Sequence, residues 1–385
     1  MRIDKAGIYI HIPFCVKKCN YCDFLSFVCD EDGVKRYIKR LKHEIEEKAY
    51  RYKDKEFSTI FIGGGTPSSI SAHLIKDVLN VVYECYNIEE DSEITIESNP
   101  GTLDKEKLSV YRLAGINRLS IGLQSPNDKE IKILGRIHTF KDFERSYYMA
   151  REIGYDNINI DLMSALPNQT VEDYKKNLNT VIDFAPEHIS AYSLIIEQDT
   201  PFYDIYHEDD YLRSMGSKSR YLPSEEEERN MYHMTEQILT NAGYNRYEIS
   251  NYAKEGFECR HNLGCWELRE YIGFGLGAAS YEGFKRYNNI KKLDDYINAK
   301  NTIDEKSIEC IDEEEQMTEY MILSLRLTKG ASFDEFKIRF NKDLRQVYKQ
   351  VNDKLFKEGL IIMDDNHIAL SKRGFDLANY CMMQY

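Results

Sequence analysis

The sequence predicts an α/β fold, a partial (β/α)6 TIM-like barrel, followed by a smaller C-terminal helical and winged-helix-like domain. Three observations carry this prediction. Short apolar runs with strand periodicity alternate with helical patterns, glycines recur where a helix hands over to a strand, and the character of the chain changes near Glu305.

Residues 7–12 alternate Ile8, Ile10 and Ile12 with Tyr9 and His11, and Pro13 stops the ladder, so this is the first strand. Val34, Tyr37, Ile38, Leu41, Ile45 and Ala49 then recur at three- and four-residue steps, the spacing of an amphipathic helix. Further strands are expected at 59–62, 94–96, 118–121, 158–162 and 188–192, separated by helical patterns, and that alternation implies a parallel sheet. Gly115, Gly154 and Gly243 each follow a helical stretch and precede a strand, where glycine ends a helix at little cost. Residues 209–224 are polar and turn-rich and read as an excursion, after which Ser224 and Glu227 offer a capping box to a helix carrying Met231, Met234 and Ile238. Beyond Glu305, two helical segments precede an apolar run at 359–362, a turn at 364–366 and a second run at 367–370, a helix pair with a hairpin wing. The chain therefore divides into residues 1–300 and residues 301–385.

The bulk composition narrows the function classes. Of 385 residues, 42% are hydrophobic and 30% charged, which supports a large core and no disordered reading. A formal net charge of -14 disfavours nucleic acid and anionic membrane as partners, so the wing reads as a packing module. No apolar run has the length of a signal peptide or a membrane span, and a cytoplasmic protein that is not integral to the membrane is expected. In that compartment thiols stay reduced, so grouped cysteines point to metal. Of the nine, only Cys15, Cys19 and Cys22 are closely spaced; Cys259 and Cys265 form a looser pair, and Cys29, Cys85, Cys310 and Cys381 read as small buried hydrophobes.

Cys15, Cys19 and Cys22 fall on the loop after the first strand. Structural zinc asks for four ligands in paired short spacings, which leaves three cysteines one short unless His11 joins them. Three thiolates on an iron-sulfur cubane leave one iron open to a small chelate. Zinc and unligated loop cysteines remain the alternatives at this point. Gly63-Gly64-Gly65-Thr66-Pro67 follows the second strand, Glu97 ends the third, Gln124 follows the fourth and Asp161 ends the fifth. Each falls where a barrel places its chemistry, although each alone also reads as a cap or solvated loop residue.

The three cysteines, with Tyr21 before the last, resemble the signature of the radical S-adenosylmethionine (SAM) superfamily. The resemblance implies a 4Fe-4S cluster on Cys15, Cys19 and Cys22, whose open iron is chelated by SAM, and reductive cleavage of SAM to a 5′-deoxyadenosyl radical. It further implies that Gly64, Gly65 and Thr66 bind the amino group of SAM, Glu97 its methionyl part, Gln124 and Asp161 the ribose hydroxyls, and Arg136 the carboxylate. Tyr9 and Tyr21 would lean on the same ligand. Without the resemblance, Arg136 reads as a surface helix charge and Tyr9 as strand packing.

The segments 97–102, 118–125, 161–167 and 261–281 together resemble the oxygen-independent coproporphyrinogen III oxidase family over nearly the whole chain. That family holds true oxidases, which decarboxylate two propionates of coproporphyrinogen, and HemW-type heme chaperones. Oxidases carry a fourth cysteine two positions after the third, where this chain has Cys22-Asp23-Phe24, and a longer segment before the cysteine loop, where it has fourteen residues. Arg260-His261-Asn262-Leu263-Gly264-Cys265-Trp266 resembles the chaperones' heme-binding HNxxYW motif with Cys265 in place of tyrosine. The resemblance implies that His261, Cys265 and Trp266 contact heme, although a loop histidine and a lone tryptophan also read as ordinary packing. A heme chaperone is expected, with an unidentified acceptor that the family suggests is membrane-bound and a reductant such as flavodoxin. Oxidase catalysis, and radical SAM modification of heme or another tetrapyrrole, are the alternatives.

Overall fold

Alternate aliphatic residues decide which way each central strand faces. Ile8, Ile10 and Ile12 of β1 (Ala6–Ile12) are buried against the helices, as are Ile60 and Ile62 of β2 (Glu56–Gly64) and Ile94 and Ile96 of β3 (Asn87–Ser98). Leu119 and Ile121 of β4 (Arg118–Gln124) and Ile158 and Ile160 of β5 (Ile158–Ser164) continue that layer. The period of two then turns Tyr9, Phe61, Glu97, Ser120 and Asp161 to the other face, the concave interior. With β6 (His188–Ser193), these strands pair parallel and in chain order. This computed structural model describes residues 5–385.

The covering helices are α1 (Glu31–Ala49), α2 (Ala72–Cys85), α3 (Lys105–Leu113), α4 (Asp128–Ile133), α5 (Phe140–Ile153) and α6 (Val171–Asp183). All six expected strands and the first expected helix are present. Gly115 and Gly154 take left-handed φ of 92° and 96° at the ends of α3 and α5, a conformation that glycine adopts without Cβ strain.

After β6 come α7 (Pro201–Ser214), α8 (Glu225–Asn241), β7 (Asn245–Arg246), β8 (Asn251–Ala253) and α9 (Arg260–Trp266). The excursion expected at 209–224 is thus partly helical: α7 runs through Ser214, and the buried Asp209 carboxylate accepts the backbone N–H groups of Arg220, Tyr221 and Leu222, closing the irregular remainder. The Ser224 and Glu227 capping box forms as expected. Next follow β9 (Tyr271–Phe274), β10 (Ala279–Glu282), β11 (Lys285–Asn288), α10 (Leu293–Asn298) and β12 (Glu309–Cys310). Sequence periodicity missed these short strands. β9 pairs parallel with β1, so the sheet has twelve strands in the order β12-β11-β10-β9-β1-β2-β3-β4-β5-β6-β8-β7.

The chain ends with α11 (Glu313–Ser324), β13 (Ala331–Ser332), α12 (Phe333–Phe340), α13 (Leu344–Val347), α14 (Lys349–Lys357), β14 (Ile361–Met363) and β15 (His367–Leu370), then two short helices. The hairpin wing is present and gains β13 as a third strand. A second apolar core forms here around Phe336, Leu355 and Ile368, with Leu268 and Tyr281 contributed from the preceding segment. No helix among the described residues is long and apolar enough to cross a membrane. All nine cysteines are free; Cys381 is buried and Cys29 and Cys85 half-buried, but Cys310 is exposed on the edge strand β12, contrary to the expected burial.

Candidate cofactor site in the barrel

Cys15, Cys19 and Cys22 occupy the loop between β1 and α1, at the carboxyl end of the first strand. The loop is pinned on both sides. Cys15 N–H donates to Phe27 O at 3.0 Å and Phe27 N–H to Pro13 O at 2.9 Å, while Asn20 N–H reaches Leu134 O at 2.9 Å. From β2, Gly65 N–H donates to Ile12 O at 2.9 Å and Thr66 N–H to Phe14 O at 2.7 Å. A Cβ on Gly65 would stand 2.7 Å from the Phe14 carbonyl oxygen, which is why the glycine run lies where it does.

The three thiols are free and half-buried. Among the described residues, no three His, Cys, Asp or Glu side chains converge on a single ion. Three thiols on one loop with no fourth protein ligand beside them among the described residues suit a cluster in which each thiolate takes its own iron. His11 is also engaged: its Nδ1 lies 2.9 Å from Tyr9 Oη and its Nε2 2.9 Å from Leu25 O.

A cavity of about 440 Å³ opens beside the cysteines. Cys15, Cys19, Tyr21, Cys22, Gly64, Gly65, Thr66, Glu97, Gln124, Arg136 and Asp161 all line it. Of the residues expected at the cluster and SAM, only Tyr9 is missing from the lining; its hydroxyl turns to His11 and its ring packs on Phe61.

Glu97 Oε2 accepts Gly64 N–H at 3.0 Å, tying β3 to the glycine run. Burial, reinforced by the nearby Asp161 charge, pushes the Glu97 carboxyl up to about 7. Asp161 is likewise raised by burial, against hydrogen bonds from Asn159 and Ser190 and the charges of Arg118 and Arg136. Two strained carboxyls in one cavity are an incomplete arrangement that a cationic ligand relieves. Gln124 has a left-handed φ of 67° where β4 shifts register, and the kink turns its Oε1 onto Tyr192 Oη at 2.8 Å.

Arg136 is half-buried in the cavity wall rather than on a helix surface. Its Nη1 donates to Tyr21 Oη at 3.0 Å and reaches Cys19 Sγ at 3.8 Å, and its Nη2 donates to Gly122 O at 2.8 Å and to Asn99 Oδ1. The guanidinium therefore clamps the cysteine loop to β3 and β4. A second cavity of about 350 Å³ lies on the other side of this clamp and shares Lys17, Cys19, Thr66, Asn99 and Arg136.

Asn99 and Tyr192 are among the residues at this site that escaped the sequence reading. Asn99 Nδ2 donates to Thr66 Oγ1 at 2.9 Å while its Oδ1 takes Arg136, and Tyr192 lines the cavity and holds Gln124. Both stood at the carboxyl ends of expected strands, the one signal that pointed to them.

Residues 9–181 match the Radical SAM superfamily and residues 311–377 the HemN C-terminal domain. The chain is 36% identical to the heme chaperone HemW of Bacillus subtilis over 96% of both chains. It is 34% identical to that of Lactococcus lactis over 96% of this chain and 94% of the relative. The chain belongs to the HemW family. Its fold matches that of coproporphyrinogen III oxidase (HemN) from Escherichia coli with a TM-score of 0.83 at 22% identity, covering 99% of this chain and 89% of that one. As a radical SAM protein, a HemW-family chain carries a 4Fe-4S cluster and SAM. Here the cavity has the thiols, the two half-buried carboxyls and the glycine backbone that such ligands need.

The HemW-like heme motif lies elsewhere. His261 sits at the amino-terminal end of the barrel, its Nδ1 2.9 Å from Thr59 Oγ1 and its ring stacked on Phe61 at 5.2 Å. Thr59 lies five residues before Gly64, about 16 Å along the strand. His261 is 7% exposed, and burial together with the Arg118 charge depresses its pKa to about 4. The space beside His261 and Cys265 is about 10 Å³, room for one water and not for a porphyrin. Burial raises the Cys265 thiol to about 11. Trp266 lies under the Arg326 guanidinium, 4.3 Å from the ring centroid, with its Nε1 buried and unpartnered. Cys259, the other member of the loose pair, is buried at the amino-terminal cap of α9.

Proposed function

We propose that this protein binds heme and passes it to an acceptor protein, holding a SAM-ligated 4Fe-4S cluster on Cys15, Cys19 and Cys22. The observation that carries the chaperone reading over the oxidase is the run Cys22-Asp23-Phe24. Phe24 stands where the oxidases resembled by this chain have a fourth cysteine, and it is an exposed side chain at the cavity mouth. The HemW relatives, matched over nearly the whole length, support the same reading.

The bound cluster supplies an open iron for SAM and a one-electron route to its reductive cleavage. The protein's own residues do the holding. Gly64, Gly65 and Thr66, whose N–H groups are held by Glu97, Ile12 and Phe14, leave backbone C=O groups for the ligand, Glu97 and Asp161 offer carboxylates, and Gln124 is aimed by its kinked strand. Arg136 and Tyr21 keep the cysteine loop against β3 and β4; a bidentate SAM carboxylate contact by Arg136 has to share donors already engaged by Asn99, Gly122 and Tyr21.

His261, Cys265 and Trp266 are the proposed heme contacts. With Nδ1 held by Thr59, Nε2 is the nitrogen that faces iron, and reaching it requires α9 to move off β1 and β2. The division at 1–300 and 301–385, a cytoplasmic setting, and a reductant such as flavodoxin complete the proposal. The second apolar core around Phe336 and Leu355 supports a C-terminal unit, although Leu268 and Tyr281 from before the boundary pack into it.

Anaerobic incubation with coproporphyrinogen, SAM and a reductant tests the function. The expected result is no vinyl-group formation, together with hemin binding that weakens in His261→Ala; vinyl formation at enzymatic rates rejects the chaperone reading. Release of an altered porphyrin from the same reaction with heme would favour a tetrapyrrole-modifying enzyme.

A further inference from the structure

His261 and Asn262 are neighbours on α9, yet they serve different spaces. The His261 ring packs among Gly7, Thr59 and Phe61 at the barrel floor. Asn262 lines the 440 Å³ cavity together with Ser190, Ser250 and Asn251. These four form a polar patch that meets the residues expected at SAM where Ser190 bonds to Asp161. Its hydrogen bonding is incomplete: Asn251 Nδ2 donates to Glu248 Oε1 at 2.6 Å and Ser190 Oγ to Asn159 Oδ1 at 3.1 Å, but Asn251 Oδ1 has no hydrogen bond among the described residues, and the bonds that tie α9 to Glu93, Thr59 and Tyr247 run through Cys259, Arg260 and His261, not through the Asn262 amide.

The same helix is wired to the cavity from a second direction. Asn159 Nδ2 donates to Asp161 Oδ1 at 2.7 Å, and its Oδ1 lies 2.6 Å from His188 Nδ1. His188 Nε2 lies 2.8 Å from Tyr247 Oη, which accepts Cys259 N–H at 3.4 Å at the cap of α9. Because Asn159 Oδ1 can only accept, His188 Nδ1 carries the proton and Tyr247 donates to Nε2. The donors thus all point one way, from the cap of the helix that bears the heme motif to the Asp161 carboxylate in the cavity.

We propose that Asn262 is a ligand contact of the barrel cavity, so that SAM bound there holds α9 on one side while heme at His261 acts on the other, and the two affinities are linked through this helix. The linkage rests on the reading of His261 as a heme contact; the Asn262 contact does not. The Asn262 amide, lining the cavity with no side-chain hydrogen bond among the described residues, is satisfied by a ligand with hydroxyl, amine or carboxylate groups, which SAM has and a porphyrin face lacks.

Equilibrium dialysis of SAM against anaerobically reconstituted protein tests the contact. Asn262→Ala is expected to bind SAM about fivefold more weakly, the loss of one neutral hydrogen bond, with iron and sulfide content unchanged. Asn251→Ala, measured alongside, gives a second reading of the same patch if the α9 variant folds poorly. Wild-type SAM affinity in both variants overturns the proposal. Hemin titration with and without SAM tests the linkage: SAM shifts hemin affinity in the wild type by about fivefold, hemin shifts SAM affinity by the same factor, and Asn262→Ala loses the shift. Hemin affinity indifferent to SAM in the wild type overturns the linkage. If His261→Ala binds hemin as the wild type does, the heme site is misplaced, while the dialysis result still decides Asn262.

Discussion

His261 Nδ1 and Thr59 Oγ1 are 2.9 Å apart across the barrel floor, joining a helix near residue 260 to the second strand of the sheet. The contact fixes the ring and hides it. Its pKa of about 4, against an unperturbed 6.5, means that the folded state binds fewer protons than the unfolded state in that interval. Stability therefore falls as pH drops from 6.5 towards 4, by on the order of 3 kcal/mol for this group. His188, also held neutral by burial, adds to the same trend. Urea midpoints measured from pH 7 to pH 4 are expected to flatten in His261→Gln; an unchanged pH dependence contradicts the assignment.

Glu97 gives the opposite slope. Its folded pKa of about 7 lies above the usual 4.5, so the ligand-free protein loses stability as pH rises between those values. A cationic ligand needs the ionised carboxylate, so SAM affinity is expected to rise through pH 7 in the wild type and to become nearly flat in Glu97→Gln. Dialysis at pH 6 and pH 8 measures the difference.

Each of Cys15→Ala, Cys19→Ala and Cys22→Ala is expected to fall well below the roughly four irons per chain of a cubane after anaerobic reconstitution. Cys259→Ala and Cys265→Ala keep the full complement, since both lie at the far end of the barrel. Iron and sulfide analysis distinguishes the two sets.

Gly64 has φ of 115°, and a Cβ there would come within 2.5 Å of the His11 ring. Gly64→Ala combines backbone strain with a clash against a ring held at both nitrogens, and about 2 kcal/mol of stability is expected to go. The urea midpoint reports it.

Glu44 is fully buried on α1 and accepts from Lys48 Nζ at 2.6 Å, Gly275 N–H at 3.0 Å, Asn289 Nδ2 at 2.7 Å, Tyr296 Oη at 2.5 Å and Thr302 Oγ1 at 2.9 Å. Glu44→Ala strands these donors and a lysine, and roughly 3 to 5 kcal/mol is expected to be lost. Faster amide exchange in β9 to β11 than in β3 to β5 is the accompanying sign.

The parallel strands were legible because isoleucine and leucine alternate cleanly along them. β3 showed only its second half, since Glu89, Glu90 and Asp91 open it with no apolar rhythm. β9 to β12 have two to four residues each and are held by pairing and by Glu44, features that periodicity does not carry. The cysteine loop and the polar residues at strand ends were readable from position alone. The location of His261 was not, because the motif shows which residues stand together but not that Thr59 and Phe61, some two hundred residues earlier, enclose the ring. Arg136 deceived for a related reason: charge at the end of a short helix ordinarily meets water, and only the fold brings Tyr21, Asn99 and Gly122 to it.

The pairing of β1 with β9 has a consequence for the order of events on the ribosome. The first strand lies inside the sheet, and its second neighbour is not translated until about residue 271. At 5 to 20 residues per second, the thiols of the N-terminal loop wait roughly 13 to 50 seconds before the sheet around them closes. The cysteine loop therefore reaches its final setting only after most of the chain has been made.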